Sequence, residues 1–186
     1  MTLRRLLLLL CLWLAAPAWA VPAMWQVGQG KRQITLYGTI HALPKGTDWL
    51  TPQAAGAFNR AGTLVVEIAG PPDPAAMRAV VMELGRLPVP VPLASRLPDD
   101  LKPKADALLK ATGLPPGALD GMESWLAALT LVQIEVARAG LDPAAGVDVA
   151  LIARARAAGK PMVGLETPRG QLALFDSLPE ADQRLL

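Results

Sequence analysis

Thr51-Pro52-Gln53-Ala54-Ala55-Gly56-Ala57-Phe58-Asn59-Arg60-Ala61-Gly62, continued by Thr63-Leu64-Val65-Val66-Glu67-Ile68, is a helical pattern that passes straight into a strand pattern. Thr51 offers a hydroxyl to the free amides of a first turn. Pro52 has no amide to leave unpaired there, and Gly62 ends the run. The six residues after Gly62 are short, apolar and β-branched, which suits a buried strand of a parallel sheet. With the β-prone run Ile34-Thr35-Leu36-Tyr37-Gly38 upstream, they predict a strand-helix-strand unit and so an α/β fold.

Outward from that unit the pattern extends both ways. Trp25-Gln26-Val27 and the run from Ile34 flank Gly28-Gln29-Gly30-Lys31, so the domain is expected to open with a β-hairpin. Residues 73–84, 99–112 and 122–139 read as helices. Between the first two, Leu87-Pro88-Val89-Pro90-Val91-Pro92 is a connector, because alternate prolines remove backbone donors and favour extended chain. Residues 146–158 form another helix, Met162-Val163-Gly164-Leu165-Glu166 a second apolar strand, and residues 170–178 a last helix. The expected fold is α/β, a mixed or parallel sheet flanked by helices, with a hairpin at the start and a helical middle segment. Trp125, Leu126, Leu129, Val132 and Val136 recur at helical spacing and are read as core, with a partner interface the alternative.

Residues 1–20 have the layout of a signal peptide: Arg4 and Arg5, an apolar stretch over 6–16, then Ala18-Trp19-Ala20. The stretch is shorter than the about 20 residues a membrane-spanning helix needs. The chain is therefore expected to be exported, to a periplasmic or extracellular location, with residues 21–186 as one domain and no stable membrane span after cleavage. The chain holds 18 basic and 16 acidic residues, and two of the basic ones belong to the leader. The remainder is balanced, which argues against a nucleic-acid partner. The single cysteine, Cys11, also lies in the leader, so neither disulfide nor thiol chemistry is expected of the exported domain.

His41, the one histidine, follows the strand ending at Gly38. Glu67 and Glu166 lie at the ends of the other two expected strands, and ligands of parallel sheets gather outside carboxyl ends. An imidazole with two carboxylates is a half-site for a divalent metal, which lowers the pKa of bound water to about 7. The same three residues also suit metal-free acid/base work. Plainer roles stand beside these. A loop histidine is often structural, Glu67 either pairs with an arginine or serves a site, and Glu166 suits a helix cap. Arg154 and Arg156 are both candidates to neutralise a carboxylate of the cleft.

Leu36-Tyr37-Gly38-Thr39-Ile40-His41, Val65-Val66-Glu67, Gly146-Val147-Asp148, and Gly164-Leu165-Glu166-Thr167 with Gln171 and Leu172 occur in that order. Together they resemble the TraB/PrgY/GumN family, to which the Tiki proteins are related, over nearly all of the chain beyond the leader. The resemblance implies an α/β domain of two related halves, each with a Gly-x-x-His motif, and the metal-dependent peptidase activity of Tiki-like members. It places Gly38 and His41 in the first such motif, Glu67 on a family glutamate, Glu166 in Gly-Leu-Glu-Thr, and Asp148 in a supporting role. No second Gly-x-x-His is present, so the second half is expected to be missing, whether the chain is a fragment or the gene is truncated. Such a sheet would expose an unpaired edge, and a homo-oligomer is one remedy. The first functional expectation is a hydrolase acting on peptides or proteins, His41, Glu67 and Glu166 serving as catalytic residues and metal ligands. The second is an exported protein that binds a peptide or signalling molecule without cleaving it, as the pheromone-shutdown role of some relatives implies. An inactive truncated product is the third.

Overall fold

The helix expected after Thr51 forms as α1 (Pro52–Arg60), with the Thr51 hydroxyl accepting from the Ala54 amide at 3.1 Å. The computed structural model describes residues 22–30, 32–70 and 73–186; the leader expected over 1–20 lies outside them. The described residues open with the expected hairpin, β1 (Met24–Gln29) and β2 (Arg32–Tyr37), paired antiparallel with Trp25 opposite Leu36 and Val27 opposite Ile34. Gly28 and Gly30 take positive φ in this turn region, which no side chain favours.

The strand after α1 is β3 (Leu64–Val66), which pairs in parallel with β4 (Met162–Gly164). The fold is thus α/β with both strand orientations, but among the described residues the strands form two separate two-stranded sheets. This corrects the strand-helix-strand reading in one respect: β2 does not join the sheet of β3. It also corrects the burial expected of the 63–68 run, since Val65 and its partner Val163 are exposed. An apolar run records a wish for cover and does not say what supplies it.

Between β3 and β4 the chain is helical. Asp73 caps α2 (Pro74–Leu84) through the Ala75 amide, and the proline-rich connector leads into the short α3 (Leu93–Arg96), then α4 (Lys102–Thr112) and α5 (Ser124–Arg138). A 3₁₀ turn (Pro143–Ala145) precedes α6 (Val147–Ala157), which feeds β4; α7 (Pro168–Asp176) and α8 (Glu180–Gln183) follow. The short α3, α8 and the 3₁₀ turn carry too few residues to show a period and escape a reading by pattern.

The core lies at the start of α5 and along α6. Leu93, Leu119 and Ala127 pack together with Leu109, Leu114, Met122 and Leu131 around them. Trp125 and Val147 are fully buried, and Trp125 stacks on Phe175 with ring centres 6.2 Å apart. Of the apolar stripe on α5, only Trp125 reaches the core fully; Val132 is exposed. The buried guanidinium of Arg96 ties this region together, donating to the Met122 carbonyl at 2.9 Å and the Ser124 hydroxyl at 3.0 Å. No helix among the described residues is long and apolar enough to cross a membrane.

Candidate functional site

The loop after β2 is tied to the entry of α6 by backbone hydrogen bonds and by an ion pair between Lys45 and Asp142 at 3.6 Å. Leu43 and Asp142 exchange two hydrogen bonds, and the Val147 amide donates to the Ile40 carbonyl at 2.9 Å. These ties bring Gly38-Thr39-Ile40-His41 onto Gly146-Val147-Asp148, although more than a hundred residues separate the segments. Gly146 makes the approach feasible: a Cβ there would stand 2.5 Å from the His41 carbonyl oxygen and 2.9 Å from Asp148 Oδ1. Only a glycine fits between two such groups.

The contact places His41 Nδ1 3.2 Å from Asp148 Oδ1. The imidazole is 67% exposed and the carboxylate 28%. Oδ1 is buried and makes no hydrogen bond, so Nδ1 meets it off the line that a shared proton needs and the contact is electrostatic. Asp148 sits in the first turn of α6, where the partial positive charge of the helix start favours a carboxylate.

Glu67 and Glu166 meet at the other end of the arrangement, on the carboxyl ends of β3 and β4. The ladder continues past the strands, with the Leu165 amide donating to the Val66 carbonyl at 2.9 Å and the Glu166 amide to the Glu67 carbonyl at 2.7 Å. The Glu67 carboxylate accepts from Gln171 Nε2 at 3.2 Å and is exposed, so of the two roles open to it the arginine partner is not the one seen. Glu166 is exposed as well. The cap of α7 is made by Thr167, whose hydroxyl accepts from the Gly170 amide, which leaves the Glu166 side chain out of that role. Arg169 locks α7 to α2 through two hydrogen bonds to Glu83, and this partner holds the Glu83 carboxyl below the usual carboxylate range. Arg154 lies over the Phe58 ring at 5.7 Å.

The three residues singled out from the sequence therefore divide into two pairs, His41 with Asp148 and Glu67 with Glu166. Among the described residues no group of three or more histidine, cysteine or acidic side chains is close enough to hold a metal ion. The unpaired Oδ1 beside an imidazole nitrogen gives two donors, fewer than the three that a catalytic site uses. Two contacts escaped the sequence: Asp148 as the carboxylate that meets His41, and Gln171 as the partner of Glu67. Each joins residues about a hundred positions apart, and no local spacing encodes that.

The apolar side of the molecule has a cleft of about 560 Å³, lined by α4, α5 and the last residues of the chain, with Leu101, Leu108, Leu131 and Val136 on its walls.

Residues 23–186 match the model of the TraB/PrgY/gumN family. No curated protein and no solved structure matches the chain.

Proposed function

The chain belongs to the TraB/PrgY/gumN family, and from that premise we propose that it is an exported hydrolase of the peptidase kind, working through His41 at the docked loop with Glu67 and Glu166 as its carboxylates. The observation that carries the reading is the contact between His41 Nδ1 and the Asp148 carboxylate. A carboxylate at one ring nitrogen orients the imidazole, and the ring, 67% exposed, remains open to solvent. On this reading Nε2 takes a proton from a water attacking an amide carbonyl. The same imidazole, once it has taken that proton, would return it to the leaving amine. The export part of the reading is supported by the layout of residues 1–20.

His41→Ala is expected to lower the rate of peptide hydrolysis by about 10²-fold or more, the usual contribution of a positioned acid/base group. The assay is run with and without added divalent cations, so that a metal requirement shows itself independently of the variant. Unchanged turnover in His41→Ala would overturn the proposal.

A second reading is favoured by the apolar cleft, whose size and lining suit a peptide or small apolar ligand. On this reading the protein is an exported binder. Calorimetry with apolar peptides, followed by mass analysis of the same peptides after prolonged incubation, separates binding alone from cleavage.

A further inference from the structure

Trp25 and Val27 lie two apart on β1, and their register partners Leu36 and Ile34 lie two apart on β2. Side chains with that relation share one face of a hairpin. These four are exposed by 58%, 58%, 52% and 64% respectively. The reverse face is the one held to the body, where the Tyr37 hydroxyl donates to the Trp49 carbonyl at 3.3 Å and the two rings lie 6.4 Å apart. The hairpin thus presents a four-residue apolar face outward, and among the described residues it belongs to a sheet of only two strands, which is marginal without a layer on top.

We propose that this face is a self-association surface and that its occupant is the same hairpin of a second copy of this chain, the two stacked about a two-fold axis. The argument is one of area and charge. The four side chains expose on the order of 450 Å², inside the range of patches that mark interaction sites. An isologous stack buries that area twice, and with the rim it approaches the about 1,200 Å² at which specific interfaces begin. The only charged residue of this face in the described strands is Arg32, at the turn end. A two-fold stack with the hairpins running oppositely puts the two Arg32 side chains at opposite ends, where they do not repel. A basic partner peptide would meet Arg32, and an acidic one would find no other cation on this face among the described residues.

The test uses the protein with Cys11→Ser throughout, which removes the one native thiol. Sedimentation equilibrium is expected to show twice the mass of one chain at tens of micromolar. Ile34→Glu is expected to raise the dissociation constant at least 10-fold with an unchanged far-ultraviolet dichroism spectrum. Val27→Cys is expected to form an interchain disulfide under mild oxidation, whereas Gln26→Cys on the reverse face is not. If Ile34→Glu fails to fold, the paired cysteine variants decide. A single-chain mass at every concentration with no disulfide at Val27→Cys overturns the proposal. So does a monomer that floats with anionic vesicles through Trp25, which would assign the face to a membrane surface.

Discussion

Gly146 holds the candidate site together because of what it lacks. Its missing Cβ lets the His41 backbone and the Asp148 side chain close on the same spot, and the nearer neighbour, the His41 carbonyl, is backbone that cannot swing away as a side-chain tip can. Gly146→Ala is therefore expected to push the loop after β2 off the start of α6, at a cost of about 1–3 kcal/mol typical of overpacking. Any His41-dependent activity is expected to fall with it. Thermal unfolding and the peptide assay measured on the same preparation check both halves; a variant with wild-type midpoint and rate would show that the close approach is dispensable. Trp125→Ala acts differently. It empties a fully buried site against Phe175, so about 3–5 kcal/mol of stability is expected to be lost while the His41–Asp148 contact, built on other residues, is untouched.

At the scale of the element, the start of α5 shows how charge is managed at a buried helix end. Burial first, then the nearby Glu180 and Asp176, push the Glu123 carboxyl up from its ordinary range, with Arg96 opposing them. A carboxyl whose folded pKa is raised binds its proton more tightly in the folded state. Its contribution to stability is then largest at low pH and is lost as pH rises through the raised value. Glu123→Gln is expected to unfold at a higher temperature than the parent at neutral pH, with the difference shrinking toward the acid side of the ordinary carboxylate pKa. Melting curves across that range check the sign, and a variant that melts lower at neutral pH would contradict it. The elements themselves were largely legible in the sequence, because their signals are local. Thr51 and Pro52 start α1 as their chemistry requires, and Asp73 caps α2. Alternate prolines keep residues 87–92 out of the helices. What each element packs against was less legible. The 63–68 run looks like an interior strand, yet Val65 is exposed, because the partners that cover a strand lie far away in sequence. The candidate site divides along the same line: His41, Glu67 and Glu166 are singled out by their positions at strand ends, whereas the contact of His41 with Asp148 depends on the docking of a loop.

Across the whole molecule, stability is unevenly distributed. α6 has Val147, Leu151 and Ala155 buried and adjoins the sheet through the turn at Gly159 and Lys160, whose ammonium group also donates to the Ala61 carbonyl. By contrast, α2 and α4 have no buried residue, and the hairpin strands have none either. Amide protection follows the free energy of the smallest opening that frees a group, so elements with little buried apolar surface exchange early. The slowest amides are therefore expected in the second half of α6, those of α2 and α4 are expected to exchange well before them, and the hairpin to exchange early in dilute protein. Hydrogen-exchange mass spectrometry at low micromolar concentration tests this order. Repeating it at tenfold higher concentration adds a second reading: stacking of two hairpins would slow β1 and β2 selectively and leave α2 and α4 as they were. Protection of α2 equal to that of α6 at both concentrations would mean that the molecule opens only as one unit, and that the two small sheets are more firmly joined to the helical core than their exposed faces imply.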